Sequence, residues 1–167
     1  QTDVEAIADM VLRVRAKMLE CGSRGDLTIS VNPFVPKPFT PFQWQPLQPL
    51  KTFEQKVAFL KKNFEKDRRI KLIAESGREA LLQAVLARGD RRLGAVLLAA
   101  FQAGGEKKFR RLAEANAPES MARLDRGWQF DEALPWDHLF MGFDKHYLWQ
   151  EWQKALKNAK RILVKSF

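Results

Sequence analysis

Cysteine is almost missing from this chain: Cys21 is the only one in 167 residues. One thiol excludes an internal disulfide framework and fits a reducing compartment, so a cytoplasmic protein is expected. It equally excludes a cysteine-based metal cluster built by this chain alone. Histidine is confined to His138 and His146, so a zinc-type ligand set is not expected either. No apolar run approaches the ~18 residues that cross a bilayer, and no membrane partner is expected. Residues 1–20 are amphipathic and carry four acidic side chains, which is unlike a secretory leader. Repeats and low-complexity tracts are absent, as are a glycine-rich phosphate loop and a Ser-His-Asp arrangement. On the residues alone, no constellation carries a reaction.

What is present suits a compact fold. The hydrophobic fraction is 46%, and the length suffices to bury a real core. Residues 30–49 hold six of the eight prolines, interleaved with Phe34, Phe39, Phe42 and Trp44. Proline fixes φ and removes a backbone donor, so this stretch is neither helix nor central strand. Four aromatic rings would lose burial in a solvated linker, so a stiff strap laid across a core is expected. Two uses are open for it: sealing one end of a barrel or sheet, or forming the wall of a ligand cavity. The first is the simpler, since rigid loops are common packing devices.

Periodicity places the other elements. Thr2 with Glu5 reads as a capping box, and Val4, Ile7, Ala8, Val11, Leu12, Met18 and Leu19 as one apolar helix face. Gly22 suits the left-handed position that stops this helix, with Cys21 a small buried side chain beside it. Residues 26–31 alternate as a half-buried strand. Helix, turn, strand is the second half of a βαβ unit, so a strand before Gln1 is expected and the chain reads as part of something larger. After the strap, Thr52 and Gln55 read as a second capping box, with Phe53, Val57, Leu60 and Phe64 as the buried stripe. Residues 69–74 form a short strand, and Ser76 with Glu79 caps the next helix, to Gly89. Asp90 starts another, with Leu93, Val96, Leu97, Ala100 and Phe101 facing inward and Gly104-Gly105 ending it. Short helices follow near 107–116 and 119–126. The irregular stretch 127–139 docks through Trp128, Phe130 and Trp136. Asp144 caps a last helix with Leu148, Trp152, Ala155, Leu156, Ala159 and Ile162 inside.

Net charge is +9, and residues 51–71 alone hold eight Lys or Arg against three Asp or Glu. A solvated helix face explains this most simply. The alternative is a non-catalytic helical module that binds RNA or an acidic protein through this segment, with Lys61, Lys62, Arg68 and Arg69 as contact residues. Asp137-His138 suggests a carboxylate orienting an imidazole, but neighbours on an irregular segment seldom face each other, and a surface or capping histidine is expected.

Residues 31–44, Val-Asn-Pro-Phe-Val-Pro-Lys-Pro-Phe-Thr-Pro-Phe-Gln-Trp, strongly resemble a segment of large bacterial radical S-adenosylmethionine proteins that often carry a cobalamin-binding-type N-terminal domain. Thr2-Asp-Val-Glu5 looks like the start of the helix that follows a Gly-Leu-Pro-x-Glu turn in that family. Residues 73–80, 88–92, 134–138 and 148–152 look like its later landmarks, in the same order. The resemblance implies a helix-rich α/β fold: residues 1–75 as the end of a partial (β/α)6 barrel with about two strands, and residues 76–167 as an all-helical appendix. It implies a [4Fe–4S] cluster on three cysteines spaced C-x3-C-x2-C, S-adenosylmethionine on the fourth iron, and a cobalamin where the cobalamin-binding-type domain is present. This sequence lacks the three cysteines, so the resemblance implies an inert C-terminal fragment. Its main partner would then be the preceding part of the same polypeptide. Asn32, Pro33, Phe34 and Lys37 are the implied wall on the S-adenosylmethionine and substrate side. Against that, Asn32 caps the strand, Phe34 fills the barrel bottom and Lys37 is solvated. In a third reading the piece is a structural appendix that covers the barrel or mediates dimerisation through exposed Phe39, Phe42 and Trp44.

Overall fold

The computed structural model describes the backbone of residues 2–165 and the side chains of residues 3–159. The described residues form a helix-rich α/β arrangement. In chain order it runs α1 (Thr2–Glu20), β1 (Leu27–Val31), α2 (Leu50–Phe64), β2 (Ile70–Ala74), α3 (Gly77–Arg88), α4 (Leu93–Gln102), α5 (Glu106–Asn116), α6 (Pro118–Arg126) and α7 (Lys145–Lys165). They gather into two compact units, Gln1–Phe34 with Gln48–Leu81 and Val35–Leu47 with Leu82–Phe167. The proline segment, grouped by its sequence with residues 1–75, thus belongs from Val35 to Leu47 to the second unit. Its buried Trp44 packs there with Trp128, Leu134 and Trp136.

In the first unit β1 and β2 pair in parallel, Leu27 opposite Ile70 and Val31 opposite Ala74. Successive side chains alternate faces. Leu27, Ile29, Val31, Ile70 and Leu72 therefore turn to one side, where they meet Ala8 and Val11 of α1 and Leu60 and Phe64 of α2. Thr28, Ser30, Lys71 and Ile73 turn to the other side and are exposed. Gly22 ends α1 in the left-handed conformation (φ 72°), and the Ser23 N–H closes back on the Met18 carbonyl at 2.8 Å. The Thr2 half of the expected capping box lies outside the described side chains. Leu12, Leu19 and Cys21 are exposed, contrary to expectation. The buried stripe of α1 is narrower, Ala8, Val11 and Arg15, and Cys21 sits in the turn beyond it.

Thr52 does not cap α2. The helix begins two residues earlier with Pro49 at its N-cap and no side-chain cap bond, and the Thr52 N–H donates to the Pro49 carbonyl at 3.0 Å. A proline there is already set at a φ of −53° for helix entry. The expected stripe Phe53, Val57, Leu60 and Phe64 is buried.

The second unit is closed by tryptophan. Trp44, Trp128, Leu134, Trp136 and Leu148 form its buried cluster, with Phe39, Phe130, Trp149 and Trp152 against it. Trp44 meets Trp149 edge-on at 5.0 Å, and Trp128 meets Trp136 edge-on at 5.4 Å. The strap is tied down on both sides of Gly127: the Leu47 N–H donates to the Leu124 carbonyl at 2.7 Å, and the Trp128 N–H to the Trp44 carbonyl at 3.0 Å. Gly127 has φ 73°, and a Cβ there would run into the Trp44 carbonyl oxygen. Asp144 caps α7 as expected, its Oδ1 accepting the Tyr147 N–H at 2.7 Å. Of the expected α7 face, Ala159 is exposed and Ile162 lies outside the described side chains. In α4, Leu93, Val96 and Ala100 are buried, but Leu97 and Phe101 are exposed, Phe101 at 81%. This helix is apolar on every side, so its periodicity does not select an inner face.

Candidate functional site

Parallel strands present their carboxyl ends together, and in open α/β sheets ligands bind beyond those ends. Here the ladder closes with the Glu75 N–H on the Val31 carbonyl at 3.2 Å. Asn32 leaves β1 exposed, Pro33 is half-buried, and Phe34 is 59% exposed. Asn32 and Glu75 continue the alternation of Thr28, Ser30, Lys71 and Ile73, so they extend the uncovered polar face. Lys37 is half-buried and belongs to the second unit, whereas Asn32, Pro33 and Phe34 belong to the first. Its carbonyl accepts the Thr40 hydroxyl at 2.8 Å, which tightens the strap.

The strap is organised by a residue that pattern reading passed over. Gln43 is 2% exposed, and its Oε1 accepts the Trp136 indole N–H at 2.7 Å and the Phe39 N–H at 3.1 Å. The second bond holds Phe39 at φ 58°, a left-handed conformation that costs about 1–2 kcal/mol for a side chain with Cβ. The Gln43 carbonyl accepts Arg88 Nη2 at 3.3 Å. Arg88, also 2% exposed, lies 4.4 Å above the Trp128 ring, a cation–π arrangement. Its Nε and Nη1, like the indole nitrogens of Trp44 and Trp128, meet no acceptor among the described residues. Burial pushes the Arg88 pKa down to about 10. The signal for Arg88 was its position, four and eight residues after the buried Ala84 and Ala80 on one stripe of α3. Of the three rings expected to be exposed, Trp44 is buried and Phe39 half-buried, while Phe42 is 38% exposed and packs edge-on against Trp152 at 5.3 Å.

Asp137 and His138 do not form an acid–base pair. The Asp137 Oδ2 accepts the Leu134 N–H at 2.9 Å and Lys145 Nζ at 3.0 Å, which fixes the turn instead. His138 lines a surface cleft of about 510 Å³ with Asp90, Arg91, Arg92 and Pro135. Arg92 is taken up there by Asp90 at 2.7 Å and Glu119 at 2.9 Å. In the first unit a cleft of about 400 Å³ is lined by Val4, Thr52, Gln55, Lys56 and Phe59.

In the basic segment Lys61, Lys62 and Arg68 are exposed. Arg69 is engaged, with Asp26 at 3.6 Å and the Arg24 carbonyl oxygen. Among the described residues no group of three or more His, Cys, Asp or Glu is placed to hold a metal ion. A [4Fe–4S] cluster does not fit this chain: it needs three thiolates, and the single thiol is exposed at the end of α1. Among the described residues no helix is long and apolar enough to cross a membrane. No protein-family model, curated protein or solved structure matches the chain.

Proposed function

We propose that this chain is the C-terminal part of a radical S-adenosylmethionine enzyme, its first unit completing a partial (β/α)6 barrel and its second unit a helical appendix. The observation that supports this best is the half-covered sheet. Parallel sheets normally lie buried on both faces, because their crossovers put helices there. In this one α1 and α2 pack on a single face, and the other carries Thr28, Ser30, Lys71 and Ile73, which are exposed among the described residues. A barrel has the same asymmetry, with helices outside and an inner face of alternate residues that a ligand or the opposite strands fill. Asn32, Pro33 and Phe34 leave the carboxyl end of β1, the end where such barrels bind ligands, and Lys37 follows in the strap.

The cluster, S-adenosylmethionine and any cobalamin would be held mainly by the preceding part of the polypeptide, since the cysteines needed are not in this one. The substrate of the parent enzyme is not assigned. The test begins with the coding frame ahead of Gln1, where a C-x3-C-x2-C triad is expected. The complete polypeptide, purified without oxygen and loaded with iron and sulfide, should release 5′-deoxyadenosine from S-adenosylmethionine when reduced, while residues 1–167 alone release none. A frame without the triad, or a loaded protein that releases no 5′-deoxyadenosine, ends the proposal.

A further inference from the structure

Cations crowd the end of the first unit where α2 finishes and β2 begins. Lys61 and Lys62 lie in the last turn of α2. Lys66 and Arg68 follow in two tight turns, closed by the Asp67 N–H on the Phe64 carbonyl (3.1 Å) and the Ile70 N–H on the Asp67 carbonyl (3.0 Å). The Arg69 guanidinium reaches the carbonyl oxygen of Arg24, which brings a further exposed arginine to this end from 45 residues away. Sequence spacing gave no sign of that addition.

The nearby acids are already engaged. Asp26 meets Lys71 at 2.5 Å and Arg69 at 3.6 Å. Asp67 takes Arg15 Nε on Oδ2 at 2.7 Å and the Arg69 N–H on Oδ1 at 2.9 Å. Both carboxyls sit below the usual carboxylate range, Asp26 chiefly through Lys71 and Asp67 chiefly through Arg15. Glu65 is the remaining acid in these turns. Arg24, Lys61, Lys62, Lys66 and Arg68 have no carboxylate partner among the described residues.

We propose that this surface, formed by Arg24, Lys61, Lys62, Lys66 and Arg68, binds the phosphate backbone of a nucleic acid. An anionic membrane fits less well, because interfacial binding sets large apolar side chains beside the cations. Residues 51–71 expose none: their large apolar side chains are buried or half-buried. The same fact makes recognition independent of base sequence, since no exposed ring is offered for stacking. The surface shares no residue with the strand ends assigned above, so it stands whether or not a cysteine triad precedes Gln1.

The test is fluorescence anisotropy of residues 1–167 with short single-stranded RNA and with DNA of the same sequence. Binding is expected at about 50 mM salt, with log affinity falling against log salt at a slope of about −3 for four or five phosphate contacts. The triple reversal Lys61→Glu, Lys62→Glu, Arg68→Glu should weaken binding at least about tenfold and flatten the slope by about 2. These side chains are exposed, so the helical circular dichroism signal should be unchanged. The control is Lys107→Glu with Lys108→Glu, which are equally exposed in the second unit and should leave affinity within about twofold. Three results overturn the proposal: no binding at low salt; an equal loss in the control, which would mean net charge alone; or binding to phosphatidylserine vesicles but not to nucleic acid.

Discussion

The two units close their cores by different means. The first stacks two helices on a two-stranded sheet and relies on a core of aliphatic side chains and phenylalanine around Leu60, Phe64 and Ile70. It has no tryptophan, and the described residues on one face of its sheet, Thr28, Ser30, Lys71 and Ile73, are exposed. The second holds all five tryptophans and is shut by a proline strap that it hydrogen-bonds on both sides of Gly127. It buries polar groups so thoroughly that four donors on Arg88, Trp44 and Trp128 lack an acceptor among the described residues. An exposed sheet face can be covered by opposite strands or a ligand, whereas a strapped aromatic core has little left to add. The functional readings accordingly fall on the first unit, and the second is read as its appendix. The distribution of tryptophan makes the contrast measurable, because indole fluorescence reports on the second unit alone while far-ultraviolet circular dichroism reports on both.

The largest expected effect is in the first unit. Leu60 is 1% exposed at the centre of its core. Leu60→Ala removes buried methyl groups and leaves a cavity, at a cost of about 4 kcal/mol. In urea titrations the circular dichroism transition should gain an early phase, while the fluorescence midpoint stays where it was. A fluorescence midpoint that shifts by the same amount would show the two units unfolding as one and remove the distinction.

Gly127→Ala is the converse experiment on the second unit. It forces a Cβ into the left-handed region and against the Trp44 carbonyl, at a combined cost of roughly 3 kcal/mol. Here fluorescence should shift and the first-unit phase should not. A shift below about 0.5 kcal/mol would mean that the strap is not held against residues 124–128 as described.

What the sequence disclosed, and what it hid, follows the same division. Strands with period two and the helix stripe Phe53, Val57, Leu60 and Phe64 were legible because one face of each is buried and the other is not. Proline made the strap legible as extended chain, but its attachment was not: the bonds from Leu47 and Trp128 join residues about 80 positions apart, beyond the reach of any local pattern. The start of α2 is hidden because the Thr52–Gln55 spacing imitates a capping box, while Pro49 stands at the N-cap with no side-chain cap bond. Residue type alone puts Cys21 inside, yet it is exposed in a turn. Arg15, Arg88 and Gln43 escaped notice because a buried polar side chain is recognised by its partners, and those lie far off in sequence. The candidate site was legible only at the level of the strand that delivers Asn32, Pro33 and Phe34.

The smallest effect expected concerns acid. Arg15 is almost buried in the first unit, its side chain 8% exposed, and it faces Asp67 across 2.7 Å. The Asp67 pKa lies below its ordinary 3.8 because of that hydrogen bond, helped by the Arg69 N–H. For a carboxyl whose folded pKa is depressed, the unfolded chain binds the proton more readily. The stabilisation is therefore complete above about pH 5 and is lost as the pH falls through 3.8 and then through the lower folded value. Asp67→Asn keeps an acceptor for the Arg69 N–H but removes the charge facing Arg15. It should lower first-unit stability at neutral pH and make that unit less sensitive to acid between about pH 5 and 3, with Asp26 still supplying a residual dependence. Fluorescence should follow the unsubstituted protein throughout, because the acids of the second unit, Asp90 and Glu132, keep their partners Arg92 and Arg126. If the circular dichroism acid profile of the variant overlaid that of the unsubstituted protein, the Arg15–Asp67 pair would be a surface contact without thermodynamic weight. The first unit would then rest on its apolar core alone.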